Sequence, residues 1–232
     1  MFSLIISSSI LNADYLNLEK EIKSLEDSLV DSIHIDIMDG RFVEHTTWGA
    51  SIITSIREVT NLPLDVHLMI DSPERNIEEY VSSGADTIFI HPESTVYLRK
   101  LLKIIKKNKI RTGVALKLDT PINVLVHCLD LVDTVLLVTC DEGFGGQPFH
   151  PLSLKKISEL KKVRESNNLS FSIEVDGGIN MKSGKQCKDA GAERFVLGSL
   201  IFKEPTDRSG VVHRFRNNID SDNQKVRGDK NE

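Results

Sequence analysis

The sequence of 232 residues has few cysteines, no excess of positive charge and no long apolar run. Its three cysteines, Cys128, Cys140 and Cys187, are odd in number and lack CxxC spacing, which disfavours a disulfide scaffold and fits a reduced compartment. The net charge is −5, and acidic and basic residues are mixed along the chain. This balance gives no electrostatic footprint for nucleic acid or for an anionic membrane, so we expect neither partner.

A membrane helix requires roughly 18 consecutive apolar residues, and no run in the chain approaches that length. The apolar segment 1–11 has no basic region and no cleavage site, and Asp14 follows it closely. We interpret the segment as a first strand and not as a signal peptide, and we expect a cytoplasmic protein.

Short apolar strands alternate with amphipathic helical segments along the chain. The predicted strands lie near 3–8, 32–37, 63–69, 86–91, 111–117, 133–138, 171–176 and 193–197. The predicted helices lie near 14–28, 49–59, 73–83, 96–108, 121–128, 151–167, 181–190 and 209–219. This α/β pattern favours a (β/α)8 TIM barrel over an open doubly wound sheet. We predict one barrel domain over 1–219 and a polar, disordered tail over 220–232.

Histidine and aspartate side chains stand at the predicted C-terminal ends of three strands. In the segment 33–40 isoleucines alternate with His34 and Asp36, so these two side chains share the face opposite the isoleucines. His67 ends another predicted strand and Asp176 ends a third. An isolated pair of this kind is more often a buried ion pair, but three such strand ends favour a divalent metal site. Zn²⁺, Fe²⁺, Mn²⁺ and Co²⁺ all suit this mixed nitrogen and oxygen set.

Glycine-rich turns follow the last three predicted strands. Glycine lets backbone N–H groups approach an anion closely, and barrels often bind phosphate with the loops after strands 7 and 8. A single turn of this type is usually only a tight turn, whereas three consecutive ones predict a phosphate site that depends on backbone donors. The residues concerned are Gly143, Gly145, Gly146 and Gln147, then Gly177 and Gly178, and finally Gly198 and Ser199.

Other histidines and one cysteine show no comparable pattern. The histidines without a partner signal, expected at the surface or in loops, are His45, His91, His127, His150 and His213. Cys140 stands near the expected site but has no histidine-based activation pattern, so a catalytic thiol is not expected.

Several motifs occur in a fixed order over roughly residues 3–202. They are Ser9-Ile10-Leu11 with Ala13-Asp14, His34-to-Gly40 with Phe42-Val43, Asp65-Val66-His67-Leu68-Met69, Gly143-to-Gln147 with Phe149, Glu174-to-Ile179, and Gly198-Ser199. Together they resemble the ribulose-phosphate 3-epimerase family. The resemblance implies a (β/α)8 barrel that epimerises a ketose phosphate at C3 with one divalent metal ion.

The resemblance also implies roles for individual residues. The implied metal ligands are His34, Asp36, His67 and Asp176. The implied substrate contacts near the metal are Ser9, His67, Met38 and Met69, although core filling explains Met69 about equally well. Asp36 and Asp176 would also be the acid–base groups, because inverting a carbon beside a carbonyl requires one proton removed and one returned on the opposite face.

The chain departs from the family pattern at the rim of the expected site. The departures are Ser8, Glu44-His45, Lys117-Leu118, Val138 and Glu142, where proline, Pro-Asn, Asn-Pro or Lys-Pro, methionine and proline are usual. Two segments, His91-Pro92-Glu93 and Gln147-Pro148-Phe149, look more like an allulose-6-phosphate 3-epimerase, whereas Gly145-Gly146 and Asp176-Gly177-Gly178 look like the ribulose branch. We expect D-ribulose 5-phosphate as substrate. D-allulose 6-phosphate is the alternative, because Val138 is shorter than the usual methionine.

Two other classes of function stay open at this point. One is another phosphate-binding barrel enzyme, such as a decarboxylase or an aldose–ketose isomerase. Such decarboxylases carry Asp-x-Lys-x-x-Asp on the third strand, and segment 65–70 lacks the lysine and the second aspartate. The other class is a non-catalytic sugar-phosphate-binding barrel, which the loss of a ligand or base would favour. We expect a ketose phosphate as the small-molecule partner, and a homo-oligomer.

Overall fold

The computed structural model describes residues 4–141, 143 and 145–220, and the predicted tail from 221 onward lies outside them. Eight parallel strands close into a barrel in chain order, which confirms the (β/α)8 prediction. The strands are β1 Ile5–Ser9, β2 Ser32–Met38, β3 Leu64–Met69, β4 Thr87–Ile90, β5 Arg111–Leu116, β6 Thr134–Val138, β7 Ser172–Asp176 and β8 Arg194–Leu197. The helices are α1 Leu18–Asp27, α2 Ala50–Val59, α3 Ile77–Val81, α4 Leu98–Lys107, α5 Ser153–Ser166, α6 Met181–Ala190, α7 Ser199–Phe202 and α8 Arg208–Asp220.

Each predicted strand lies within two residues of an observed one. The short runs of β-branched and other apolar residues produce this agreement, because both faces of a parallel barrel strand are buried. All seven residues of β2 are buried, for example. Ile33, Ile35 and Ile37 join the main core between barrel and helices, while the alternate side chains point into the barrel.

The helix predicted over 121–128 is wrong. The structure has two short 3₁₀ turns there, Ile122–Leu125 and Leu129–Leu131. Val124 and Val126 are exposed, and β-branched residues lower helix propensity, so the segment has neither a continuous buried face nor a strong intrinsic preference for helix. Two further predicted helices, over 14–28 and 73–83, begin with 3₁₀ turns and become α-helical only at Leu18 and Ile77.

The interior of the barrel near the N-terminal ends of the strands contains a buried ion network. Nη2 of Arg194 donates to Oδ2 of Asp65 at 2.9 Å, and Nε donates to Oε2 of Glu174 at 2.7 Å. Ser32 also donates to Oδ2 of Asp65, at 2.7 Å. The one cation is therefore held between two carboxylates that come from different strands.

An apolar cluster occupies the next inward positions along the strands. It consists of Phe89, Ala115, Leu136 and Val196. Phe89 lies against Gly113, where a Cβ would overlap its ring. The cluster fills the barrel, so the interior is a packed core and not a pore.

Strand register determines which side chains meet at the C-terminal end of the barrel. Asp36 lies opposite His67 in the β2–β3 pair. Ser9 lies opposite His34 in the β1–β2 pair, and Val138 lies opposite Asp176 in the β6–β7 pair. Among the helices of the described residues, none has the length and apolar character that would be needed to cross a membrane.

Candidate active site

Four side chains from β2, β3 and β7 converge at the C-terminal end of the barrel. Nε2 of His34 lies 3.3 Å from Oδ1 of Asp36 and 3.8 Å from Oδ2 of Asp176. Nδ1 of His67 lies 3.2 Å from the same oxygen of Asp36 and 4.0 Å from that of Asp176. The four atoms lie within 4.8 Å of one another, so two nitrogens and two oxygens surround one point.

These four residues fit a divalent transition metal. Ligand atoms about 2.1 Å from a common ion are about 3–3.5 Å apart, close to the separations seen here. Within the part of the chain that the structure describes, Nε2 of His34 is buried without a hydrogen-bond partner. A buried polar atom normally has a partner, and a cation at the centre of the cluster would supply one. The cluster could therefore hold a metal ion.

The pKa values of the cluster show how strongly its members interact. Burial alone would lower the pKa of His34, but the Asp36 carboxylate, helped by Asp176 and Glu174, raises it to about 10. Burial alone would raise the pKa of Asp36, but His34 and His67 hold it well below its usual range. Burial, together with the Asp36 charge, raises the pKa of Asp176 to about 7.

Ser9 and a small apolar cluster surround the reacting end of the site. Oγ of Ser9 donates to Oδ2 of Asp36 at 2.8 Å, which leaves Oδ1 facing the two histidines. Met38, Val43 and Met69 form a buried apolar cluster, against which Phe42 and Leu11 pack. The two predicted methionines therefore lie at the cavity, and Met69 fills space there as it would in any core.

His91 lies in the loop after β4, one of the two positions expected for it, but it is not at the surface. Its ring is fully buried, and Nε2 lies 2.8 Å from Nε2 of His67. Burial lowers the pKa of His91 to about 4, although the neighbouring Glu93 acts in the opposite direction. This contact was not predicted, because His91 meets His67 only through the β3–β4 packing. The other four histidines in that group are exposed as predicted: His45, His127, His150 and His213.

One cavity collects the predicted substrate residues. Its lining includes Ser9, Asp36, His67, Asp176, Met38, Met69, Gly143, Gly145, Gly146, Gln147, Gly177, Gly178, Gly198 and Ser199. His34 lies beneath the cavity floor, where it is fully buried. The lining also includes Asn12, which sequence reasoning did not single out, and Cys140, which it expected near the site. The side chain of Asn12 lies close to both Gly145 and Gly198, so the segment after β1 contacts the glycine loops after β6 and β8.

The glycine loops have backbone conformations that favour glycine. Gly146, Gly177 and Gly178 have φ of 79°, 108° and 67°. A Cβ at Gly177 would overlap the Cys140 side chain, and one at Gly178 would overlap the backbone at Phe149. Two of the loops therefore pack backbone against backbone on the side of the cavity next to Asp176. Glu142, one of the residues that depart from the family pattern, lies outside the described residues.

The fold and the cluster define a class of protein: a (β/α)8 barrel with a cavity at the C-terminal ends of its strands, where barrel enzymes carry their active sites. The sequence matches the Ribulose-phosphate 3 epimerase family over residues 5–202. The chain belongs to this family, and it is an isomerase that acts on carbohydrate phosphates.

Curated relatives cover nearly the whole chain. The ribulose-phosphate 3-epimerase of Bacillus subtilis (strain 168) is 41% identical over 212 residues, which are 91% of this chain and 97% of that protein. The chloroplastic ribulose-5-phosphate-3-epimerase of Arabidopsis thaliana is 40% identical over 86% of this chain and 72% of its own. The Escherichia coli (strain K12) ribulose-phosphate 3-epimerase is 32% identical over 93% and 96%.

Solved structures with low sequence identity share the fold alone. KGPDC from Streptococcus mutans superposes with a TM-score of 0.69 at 16% identity, over 93% of this chain and 97% of that one. A tryptophan synthase alpha-subunit from Pyrococcus furiosus gives 0.63 at 16% identity, over 94% and 96%. Both likenesses agree with the barrel topology described above.

Proposed function

We propose that this chain is a metal-dependent ketose-phosphate 3-epimerase that interconverts D-ribulose 5-phosphate and D-xylulose 5-phosphate. The observation that supports this most strongly is the convergence of Asp36 and Asp176 on one cluster at the floor of a cavity. The cavity is bounded on one side by glycine loops suited to a phosphate. The names of the curated relatives point to the same reaction.

In the proposed mechanism two carboxylates exchange one proton each with C3. One takes the C3 proton, and the other, in its acid form, returns a proton to the opposite face; the roles reverse in the back reaction. Asp36 and Asp176 come from β2 and β7, which β1 and β8 separate, so they approach the cavity from different directions. Positioned proton transfer of this kind contributes about 10²–10⁴-fold to a rate.

The remaining residues of the cluster position these two groups. His34 and His67, with Asp36 and Asp176, would hold the divalent ion. When bound, the ion supplies positive charge that stabilises the negative charge developing on the substrate oxygens. Ser9 donates to the Asp36 oxygen that points away from the histidines, which fixes the rotation of that carboxylate.

The phosphate end of the substrate is assigned to the glycine loops after β6, β7 and β8. Glycine at positive φ allows successive N–H groups to face an anion, and several of these residues line the cavity. Met38 and Met69 line the cavity and would present an apolar surface to the carbon chain of the substrate. The substrate would therefore lie with C3 over the two aspartates and its phosphate over the loops.

A ketohexose phosphate is the second candidate substrate. Val138 lines the cavity beside Asp176, between the acid–base pair and the glycine loops. It is shorter than the methionine usual in the family, and this difference would leave more space for a longer substrate. D-allulose 6-phosphate, with D-fructose 6-phosphate as product, is the compound that this space would favour.

The test is exchange at C3 in D₂O with the metal-loaded and the metal-free protein. We expect D-ribulose 5-phosphate to gain one deuterium at C3 and to form D-xylulose 5-phosphate, with both signals lost on chelation and restored by the ion. Turnover that persists without metal would contradict the metal-dependent mechanism. A tenfold or greater kcat/KM for D-allulose 6-phosphate would change the assigned substrate and leave the mechanism in place.

A further inference from the structure

We propose that His91, supported by Glu93, is a positioning residue that fixes the ring orientation and tautomer of His67, so that Nδ1 of His67 is presented to the cation. The proposal rests on the metal-dependent function proposed above. It goes beyond that function because neither residue belongs to the ligand cluster, the acid–base pair or the cavity lining.

The two histidine rings are in direct contact behind the cluster. Nδ1 of His67 faces the carboxylates of Asp36 and Asp176, whereas Nε2 points the other way and lies 2.8 Å from Nε2 of His91. The ring centroids are 5.0 Å apart, and the planes differ by 27°. Both rings are buried, at 1% and 0% exposure, so water does not compete for this contact.

The bond between the two Nε2 atoms contains one proton, and its position follows from the chemistry of the cluster. A nitrogen that ligates a metal carries no proton, so His67 with Nδ1 toward the cation must carry its proton on Nε2. Nε2 of His67 is then the donor and Nε2 of His91 the acceptor. Neutral His91 must in turn carry its own proton on Nδ1.

Glu93 lies close to that second proton, although within the described residues Nδ1 of His91 makes no hydrogen bond of good geometry. Nδ1 of His91 lies 3.4 Å from Oε2 of Glu93. The other carboxylate oxygen, Oε1, accepts from the backbone N–H of Lys117 at 3.2 Å and from the hydroxyl of Thr120. The carboxylate is therefore fixed by the loop after β5, and its charge, 3.4 Å from Nδ1 of His91, favours a proton on that nitrogen.

Packing also restricts the His91 ring. Phe42 lies against it, with centroids 4.8 Å apart, and the ammonium of Lys117 lies 4.3 Å from the centroid of the Phe42 ring. A ring held by Phe42, Glu93 and His67 cannot rotate without breaking a contact. A second residue of this type behind a metal-ligating histidine is a common way to orient the ligand.

The other histidine of the cluster lacks this support. Within the described residues, Nδ1 of His34 is buried and has no hydrogen-bond partner. The two histidines thus differ in how they are held, although both belong to the same cluster. We infer that the geometry of the site depends more on His67, through His91, than on an equivalent contact behind His34.

The experiment measures cation binding by metal-free protein, without substrate. His91→Phe keeps an aromatic ring against Phe42 but removes the acceptor, whereas His91→Gln keeps a side-chain oxygen that can accept from His67. We expect the Kd for Co²⁺, from competition with a coloured chelator, to rise about 10–100-fold in His91→Phe and to change much less in His91→Gln. His127→Phe is the matched control, because it makes the same change at an exposed histidine outside the cluster.

Histidine ¹⁵N spectra supply the second readout, which a merely structural role would not move. In the wild-type protein we expect the proton of His67 on Nε2, and in His91→Phe a mixture of tautomers. Wild-type Co²⁺ affinity in His91→Phe, or an unprotonated Nε2 of His67 in the wild type, would overturn the proposal. If His91→Phe does not fold, the ¹⁵N–¹⁵N coupling across the Nε2–H···Nε2 bond of the wild type decides the question, and its absence would overturn the proposal. Cation binding that weakens in His91→Phe while the wild type shows no epimerisation would refute the proposed reaction alone.

Discussion

Two buried polar clusters lie inside the same barrel, and they differ in where their positive charge comes from. In the lower cluster the two carboxylates of Asp65 and Glu174 share Arg194, a cation supplied by the chain itself. In the upper cluster Asp36 and Asp176 face two imidazoles, and no arginine or lysine is among the four residues. Strand β7 contributes to both clusters, because Glu174 and Asp176 are two residues apart on it.

The difference shows how one barrel uses one buried cluster for stability and another for its chemistry. A buried carboxylate needs a compensating charge, because desolvation without a partner costs several kcal/mol. The lower cluster obtains such a charge from the side chain of Arg194, although within the described residues Oε1 of Glu174 has no hydrogen-bond partner. The upper cluster retains two carboxylates around one point, and it is this unmet requirement that makes the site suitable for an external cation.

The largest expected effect comes from the same amide substitution made at two positions of β7. Asp176→Asn cannot exchange the proton, so we expect epimerisation to fall about 10²–10⁴-fold while the free energy of unfolding is unchanged or higher. Asp36→Asn should lose activity to a similar extent but should also lose stability, because His34 and His67 stabilise the Asp36 carboxylate. Glu174→Gln should lose stability instead, by about 1.5–3 kcal/mol, and keep most of the activity. Deuterium exchange at C3, urea unfolding and metal content measured on all three variants check this, and equal losses of activity would remove the distinction.

The next effect concerns the lower cluster. Arg194→Met leaves Asp65 and Glu174 buried without their cation, so we expect the free energy of unfolding to fall by about 3–5 kcal/mol. Urea denaturation monitored by circular dichroism measures it. The exposed pair of Arg99 and Asp130 supplies the control, since Arg99→Met should change stability far less. Similar losses for the two variants would show that burial is not the reason for the effect.

Metal removal should affect only the upper cluster. A ligand that binds the folded state stabilises it by about 2.7 kcal/mol at a hundred times its Kd. We therefore expect chelation to lower the Tm of the wild type and to leave that of a His34→Ala, His67→Ala double variant unchanged. Differential scanning calorimetry with and without Zn²⁺ measures both, and a metal response retained by the double variant would place the ion elsewhere.

The smallest expected effect refines the substrate end of the upper site. Val138→Met restores the longer side chain usual in the family and fills space beside Asp176. One carbon in a pocket is worth about 1–3 kcal/mol. We expect the ratio of kcat/KM for D-ribulose 5-phosphate over D-allulose 6-phosphate to rise about tenfold. A ratio that does not change would show that Val138 does not limit the length of the substrate.

The barrel and the convergence of His34, Asp36, His67 and Asp176 could be predicted from the sequence for a common reason: both depend on short strands. Alternation along β2 separates Ile33, Ile35 and Ile37 from His34 and Asp36, and strand polarity then brings the ends of β3 and β7 to the same place. These properties are local. Parallel closure follows once eight such units are present.

Contacts across strands could not be predicted in this way. His91 follows β4 with only His-x-Glu as a signal, and nothing in that segment shows that its ring meets His67. The register of β3 against β4 decides it, because His67 lies opposite Phe89 and His91 is the next inward residue. The 3₁₀ turns over 122–131 were missed for a related reason. A proline followed by apolar residues predicts a helix, and only the structure shows how few of those residues are buried.

The apolar cluster of Phe89 with Ala115, Leu136 and Val196 has a consequence for traffic through the site. Because these side chains fill the barrel beneath His34 and His67, the cavity is closed at the bottom and opens only at the C-terminal ends of the strands. A sugar phosphate that enters must react there, and the product must leave through the same opening. For the proposed epimerisation, substrate and product therefore use the same opening. The direction of net conversion depends on the concentrations of the two sugar phosphates outside.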